Sequence, residues 1–318
     1  MLAVVATTVP FFALIACGYG AARAGLIGEA AAKGINAFVF WFALPALLFD
    51  ALASRPFSEI ANLPFMAAYA LAGLILYGIA AWGAGRLFSV PLAERAIHGQ
   101  GATVANIGFL ALPLLVTLMG EAVAIPIVLA MFVDLTVIMS VSVALIEASR
   151  PGRADLGAVV IRICVGLGRS PIILAMTAGT LAAASDIPIP TAVDAFVGLL
   201  AAAAAPGALF ALGASLVGRS TVGNRGQIAW MVIGKLVAHP VMVALALVIV
   251  GALFPGTIPP LWGVVAVVTA AMPVASNVFV LAQGYGLPDR TVSAAILVST
   301  VIAVISLTVL LALLPARF

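Results

Sequence analysis

Charged residues are scarce in this chain: Asp, Glu, Lys and Arg together make up 8% of its 318 residues. A soluble domain carries roughly 25% charged residues, so this sequence excludes a water-facing surface of ordinary size. Hydrophobic residues make up 65%, and the mean hydropathy is +1.30. The composition predicts an all-α protein that crosses a membrane many times. The few basic residues are scattered, which excludes a nucleic-acid partner.

Cysteine and histidine are also rare, with two residues of each. This scarcity argues against most metal and redox sites. The two cysteines, Cys17 and Cys164, form no CxxC pair, and we expect no disulfide between them. The histidines, His98 in a predicted loop and His239 in a predicted span, are too few for a His-rich metal site. Phosphate loops, nucleophile elbows and intramembrane-protease motifs are absent as well. We therefore expect neither an enzyme nor a resident cofactor.

Long apolar stretches, by contrast, run through the whole chain and are separated by turn residues and charges. A span needs about 20 predominantly apolar residues, and ten candidates emerge. They cover residues 4–24, 33–53, 63–88, 97–118, 122–147, 169–185, 191–217, 227–254, 260–284 and 290–314. The less apolar segment from Asp155 to Arg169 predicts an amphipathic helix on the membrane surface.

Lys and Arg fall almost entirely on one side of this predicted arrangement. Eleven of the fourteen lie in the connections after spans 1, 3, 5, 7 and 9, whereas only Arg55 and Arg317 lie on the other side. Basic residues concentrate in cytoplasmic loops. The pattern predicts a multi-pass protein of the inner or plasma membrane with both termini on the non-cytoplasmic side.

Prolines recur at a nearly constant spacing, which indicates an internal repeat. The pairs are Pro10 with Pro171, Pro45 with Pro206, and Pro113 with Pro273, at offsets of 161, 161 and 160 residues. Each unit holds five spans, an odd number, so the second copy enters the membrane upside down. We predict a first repeat over 1–148, a cytoplasmic linker over 149–168 and a second repeat over 169–318.

Two apolar segments are interrupted by helix-breaking and polar residues. The fourth span carries Asn106, Gly108 and Pro113, and the ninth carries Pro273 and Asn277. Paired interruptions in the two halves are the best sequence pointer to a transporter's binding site. We predict that the two broken helices face each other near the middle of the bilayer and hold the substrate.

The predicted substrate site is completed by the neighbours Ile107, Ser276 and Val278. At a helix break, the amide of Asn106 or Asn277 can coordinate a cation such as sodium or donate to a carboxylate. The ends of the broken helices also carry partial positive charge that suits an anion. The alternative is that both amides merely cap the breaks.

Three ionisable residues lie well inside predicted spans, away from their ends: Asp134 in the fifth, and Lys235 and His239 in the eighth. A carboxylate at a helix centre costs about 2.5–3.5 kcal/mol on the insertion scale. Lys235 and His239 are four residues apart, on one helix face. We predict that the three serve proton coupling or charge compensation. The alternatives are a structural Asp134–Lys235 pair, or Lys235 snorkelling to the interface.

With these residues in view, the chain resembles the auxin efflux carrier family of secondary transporters. The resemblance spans nearly the whole chain. It is carried by NAFVFWFALPALLF (36–49), NIGFLALPL (106–114), LGASL (212–216), KLVAHP (235–240) and MPVASNVFVLA (272–282). Plant auxin carriers tend to have a proline where Asn277 stands, so the chain is similar to the bacterial branch.

The resemblance implies ten helices in two inverted five-helix repeats, as in bile-acid symporters and sodium/proton antiporters, with helices four and nine crossing at their breaks. Helices 1, 2, 6 and 7 would form a scaffold, and helices 3–5 and 8–10 a transport domain that moves as an elevator. Family members carry small organic anions, including mono- and dicarboxylates. The resemblance also allows a homodimer through the scaffold helices.

Two further functions remain open at this point. The first is a sodium-coupled symporter of bile-acid, sterol-like or keto-acid substrates, as in the related symporters. The second is a membrane receptor or channel that does not transport by alternating access. Substrate identity, coupling ion and direction of transport do not follow from the residues.

Overall fold

The structure, a computed structural model, describes residues 2–60, 62–150, 156–185, 188–219 and 223–313. Every regular element in these ranges is a helix, which confirms the all-α prediction. The helices are α1 (Leu2–Arg23), α2 (Glu29–Ala53), α3 (Phe57–Ile60), α4 (Leu63–Phe88), α5 (Leu92–Thr103), α6 (Ile107–Met119), α7 (Glu121–Ala148), α8 (Leu156–Gly168), α9 (Pro171–Ser185), α10 (Thr191–Leu216), α11 (Arg225–Leu253), α12 (Pro260–Ala270), α13 (Ser276–Gly284) and α14 (Asp289–Leu313).

Six of these helices are long and apolar enough to cross a membrane: α2, α4, α7, α10, α11 and α14. The pair α8 and α9 makes a seventh if it is taken as one bent span. The chain is therefore a multi-pass membrane protein. The predicted count of ten is higher partly because it includes the fourth and ninth spans, each of which is divided into two short helices.

The predicted amphipathic segment is mostly helical, and the chain bends directly after it. Helix α8 covers most of 155–169, and residues 151–155 of the predicted linker lie outside the described residues. At the break around Ser170 the chain turns by 68° into α9. The sharp bend lets α8 leave the axis of α9, so that the two helices do not form one straight span.

Three prolines inside apolar helices are each preceded by a π-helical turn. The turns are Val39–Ala43, Ile107–Ala111 and Gly234–Ala238, and the prolines Pro45, Pro113 and Pro240 follow two residues after each turn. A proline ring collides with the carbonyl four residues earlier and cannot donate to it. Because a π-turn bonds five residues back, it accommodates the ring without ending the helix. Pro113 therefore lies within α6.

Two helix crossings in the structure match each other across the halves of the chain. A Cβ on Gly18 of α1 would overlap the carbonyl oxygen of Phe210 in α10, and one on Gly179 of α9 would lie 2.9 Å from the carbonyl oxygen of Phe49 in α2. Gly179 follows Gly18 by 161 residues, and Phe210 follows Phe49 by the same number. The two crossings thus involve residues that are separated by the same offset along the chain.

The close approach of α1 and α10 gives a prediction about stability. We expect Gly18→Ala to destabilise the protein by about 1–3 kcal/mol, because the added methyl group forces two backbones apart. Gly20→Ala is the matched control, since a Cβ there meets nothing within 4 Å. Thermal unfolding of both variants in detergent measures the difference. Equal melting temperatures would contradict this account of the crossing.

Candidate functional site

The two interrupted segments lie against each other. Between α5 and α6, the backbone N–H of Asn106 donates to the carbonyl of Pro273 at 3.0 Å. In return, the N–H of Ala275 donates to the carbonyl of Val104 at 3.2 Å. The chains run antiparallel for the length of one isolated bridge, between Ala105 and its partner at position 274. The expectation that the two breaks face each other is therefore met by the geometry.

Two acceptors from other helices satisfy the remaining N–H groups of this bridge. The carboxylate of Asp134, from α7, accepts a hydrogen bond from Ala105 at 3.1 Å. The hydroxyl of Ser299, from α14, accepts one from Val274 at 3.1 Å. Both acceptors are buried. Since an unpaired backbone group in an apolar interior costs several kcal/mol, these side chains stabilise the break.

Lys235 supports the end of the other broken helix. Its ammonium donates to the carbonyl of Ala270, the last residue of α12, at 2.5 Å, and lies 2.9 Å from Nδ1 of His239. A cation at a helix C-terminus is favourable. Lys235 is 0% exposed, so the alternative that it snorkels to the interface is wrong. Within the described ranges no direct ion pair joins it to Asp134 either.

The prediction that His98 lies in a loop is also wrong. It lies inside α5, where it is buried, and its Nδ1 is 2.8 Å from the carbonyl of Glu94. The loop prediction failed because α5 begins well before the apolar run does. In the part of the chain that the structure describes, no group of three His, Cys, Asp or Glu residues could hold a metal ion.

A cavity of about 420 Å³ opens beside the paired breaks. This volume is in the range of pockets that bind small molecules. Six residues that the sequence singled out line it: Asn106, Ile107, Gly108, Asp134, Ser276 and Asn277. Five others do not line it: Pro113, Pro273, Val278, Lys235 and His239. The substrate contacts predicted for Pro113, Pro273 and Val278 therefore have no support in the cavity's lining.

Helix geometry explains two of these departures. Val278 follows Asn277 directly, and successive side chains on a helix point about 100° apart, so it packs into an apolar cluster instead. Pro113 lies several residues beyond the break, fully inside the core. It does not correspond to Pro273, which lies in the break itself, so this pair does not mark equivalent positions of a repeat.

The polar atoms of the cavity include two without partners. Nδ2 of Asn106 and Oδ1 of Asn277 are buried and have no hydrogen-bond partner among the described residues. Asn106 is 3% exposed. No side chain caps the start of α6 or of α13. Because a buried unsatisfied polar group costs roughly 1–3 kcal/mol, these atoms are suited to bind a polar solute. The alternative that both amides cap the breaks is not what the geometry shows.

Sequence reasoning missed several residues that complete the cavity. Arg162 and Ser170, from the segment between the halves, line it together with Tyr285. Arg162 forms an ion pair with Glu147, and Arg150 lies 5.0 Å above the Tyr285 ring. The single arginine on the amphipathic α8 was the available signal. Its direction toward the cavity depends on the 68° bend, which no local pattern predicts.

Comparison with known proteins adds independent information. The model of a family described as "Membrane transport protein" matches residues 3–311. A protein of Rhizobium meliloti (strain 1021) described as "Putative malonate transporter" is 31% identical over 318 residues. That alignment covers 98% of this chain and 96% of the relative. The similarity thus extends over both breaks and all the residues of the cavity.

Proposed function

Because the chain belongs to the membrane transport protein family, and is therefore a membrane transporter and not an enzyme, we propose that it carries small organic anions by alternating access. One observation supports this most: Nδ2 of Asn106 and Oδ1 of Asn277 have no partner among the described residues, and both stand at uncapped helix starts in one cavity. Helix N-termini favour negative charge. A carboxylate would accept a hydrogen bond from Nδ2 of Asn106, at the start of α6.

The relative's name supports a more specific substrate class. A transporter of malonate handles a short dicarboxylate, and the relative aligns with nearly all of this chain. We propose mono- or dicarboxylates of this size for the present protein. The wall of the cavity is otherwise mainly apolar, and Phe40, Leu44 and Met131 are among the residues that line it. This arrangement fits a short carbon chain with charged ends.

The elevator arrangement and the count of ten spans belong to the same proposal. Helices α1, α2, α9 and α10 would form the scaffold. Its support is the matched pair of crossings, in which Gly18 and Gly179 meet Phe210 and Phe49. Helices α4–α7 and α11–α14, which hold both breaks, would move against it. A homodimer through the scaffold stays a prediction.

The direction of the chain in the membrane is also part of the proposal. With the basic connections in the cytoplasm, both termini lie outside it, and the short helix α13 runs from mid-membrane toward the cytoplasmic side. Tyr285, just beyond its end, then marks the cytoplasmic end of the cavity.

Asn106→Ala tests the substrate site. We expect the uptake of labelled malonate into proteoliposomes to fall roughly tenfold or more, because the substrate loses its hydrogen-bond donor in a buried site. Asn36→Ala is the matched control, since its amide bonds only to Ala32 of its own helix. Unchanged transport by Asn106→Ala, at equal protein incorporation, would contradict the assignment of Asn106 to the substrate site.

Asp134 is the proposed coupling residue, since its carboxylate lines the cavity and also holds the break. Asp134→Asn keeps a carbonyl oxygen for the Ala105 N–H but removes the ionisable group. We expect the variant to fold and to lose the dependence of malonate flux on pH or on sodium. A comparison of flux at two pH values, with and without sodium, measures this; the same profile as wild type would exclude a coupling role.

A further inference from the structure

Arg219 connects the end of one helix to the start of another beside the cavity. It follows α10, and its Nε donates to the carbonyl of Ser215 at 2.9 Å. Its Nη2 donates to the hydroxyl of Ser276, the first residue of α13, at 3.3 Å. The guanidinium also lies 5.6 Å from the centre of the Phe279 ring. A residue far away in sequence is thus placed directly behind the wall of the site.

The charge of Arg219 has no carboxylate partner among the residues that the structure describes. An arginine has five N–H donors, and two of them bond to residues that the structure describes. Burial lowers the pKa of Arg219 to about 10, so the group remains charged at neutral pH. Arg162, the arginine in the cavity wall, is different because it forms an ion pair with Glu147.

Ser276 transmits this charge to the cavity, which it lines. Because its oxygen accepts a hydrogen bond from Arg219, its own hydrogen is free to point elsewhere. Within the described ranges that hydroxyl donates to no protein acceptor. A hydroxyl polarised by a cation is a stronger donor. Ser276 therefore offers the cavity a hydrogen bond that a carboxylate can accept.

The balance of charge around the cavity adds to this argument. Asp134 lines the cavity, and Lys235 lies behind the opposite break, so these two offset each other. Glu147 pairs with both Arg162 and Arg150, so this group keeps a net positive charge. Arg219 adds a further positive charge that has no carboxylate partner among the described residues. A site with surplus positive charge favours a dianion over a monoanion of the same shape.

We propose that Arg219, acting through Ser276, is a positioning residue that makes the site prefer dicarboxylates to monocarboxylates. One carboxylate would be held by the Nδ2 donor of Asn106, and the other by the hydroxyl of Ser276. This inference rests on the proposed function, because it assigns a substrate preference to the same cavity.

The test compares malonate with malonamate, in which an amide replaces one of the two carboxylates. Each compound competes with labelled malonate for uptake into proteoliposomes, and direct binding to purified protein gives a second measurement. For the wild type we expect malonate to compete better. In Arg219→Gln we expect the apparent affinity for malonate to fall roughly tenfold to hundredfold, since a charge-assisted hydrogen bond is lost. The apparent affinity for malonamate should change little.

Three further variants separate the charge from a structural role. Arg219→Lys should restore part of the preference because it keeps the charge. Ser276→Ala should lose the preference although Arg219 remains. Arg225→Gln removes an equal charge from an exposed position nearby and should leave the preference unchanged.

Equal weakening of both compounds in Arg219→Gln would overturn the inference, because a merely structural role affects both alike. An unchanged preference in Ser276→Ala and Arg219→Gln would overturn it too. A wild type that binds neither compound would instead reject the proposed function itself, and this inference with it. Selective loss of malonate binding in Arg219→Gln supports both the proposed function and this inference.

Discussion

The structure depends on one constraint: backbone polar groups that leave a helix inside an apolar environment need partners. Two helices are broken here, and the breaks solve this problem partly for each other, through the hydrogen bonds of Asn106 with Pro273 and of Ala275 with Val104. The remaining hydrogen bonds at the breaks come from polar side chains on neighbouring helices. This explains why a chain with so few charged residues retains buried ones at these positions.

The ionisable residues of the core therefore have a structural role in addition to any role in transport. Asp134 accepts from the backbone at one break, and Lys235 donates to the last carbonyl before the other. Both stand on helices that carry a π-helical turn at that position. Under the proposed function, a coupling ion that binds or leaves Asp134 would act directly on the backbone of the break beside the cavity.

Much of this arrangement could be predicted from the sequence. Asn106 and Asn277 marked the breaks, and the paired placement indicated that they meet. The position of the first break was less accurate, because Pro113 looked like part of it. The π-helical turn before Pro113 keeps the helix intact, and such a turn has no clear sequence signal. The actual break, at 104–106, contains no proline.

The rest of the site could not be predicted, because it depends on contacts between distant segments. Arg219 stands in a short connection and looks like one more basic loop residue. Its contact with Ser276 exists because α10 ends beside the start of α13. Arg162 reaches the cavity through the bend between α8 and α9. A local sequence pattern predicts neither which helix ends come into contact nor the angle at which a helix pair bends.

The central claim is that the two breaks are paired, and a disulfide tests it most directly. Ala105 and Val274 face each other as a non-hydrogen-bonded antiparallel pair, for which the Cα atoms lie about 4.5 Å apart, within the range that a disulfide requires. The measurement is oxidation of Ala105→Cys with Val274→Cys in native membranes, with Cys17 and Cys164 replaced by alanine, followed by mass spectrometry of the linked peptides. The account predicts a high yield of the disulfide, and none when the second cysteine is moved to Val268. Two free thiols at 105 and 274 would contradict it.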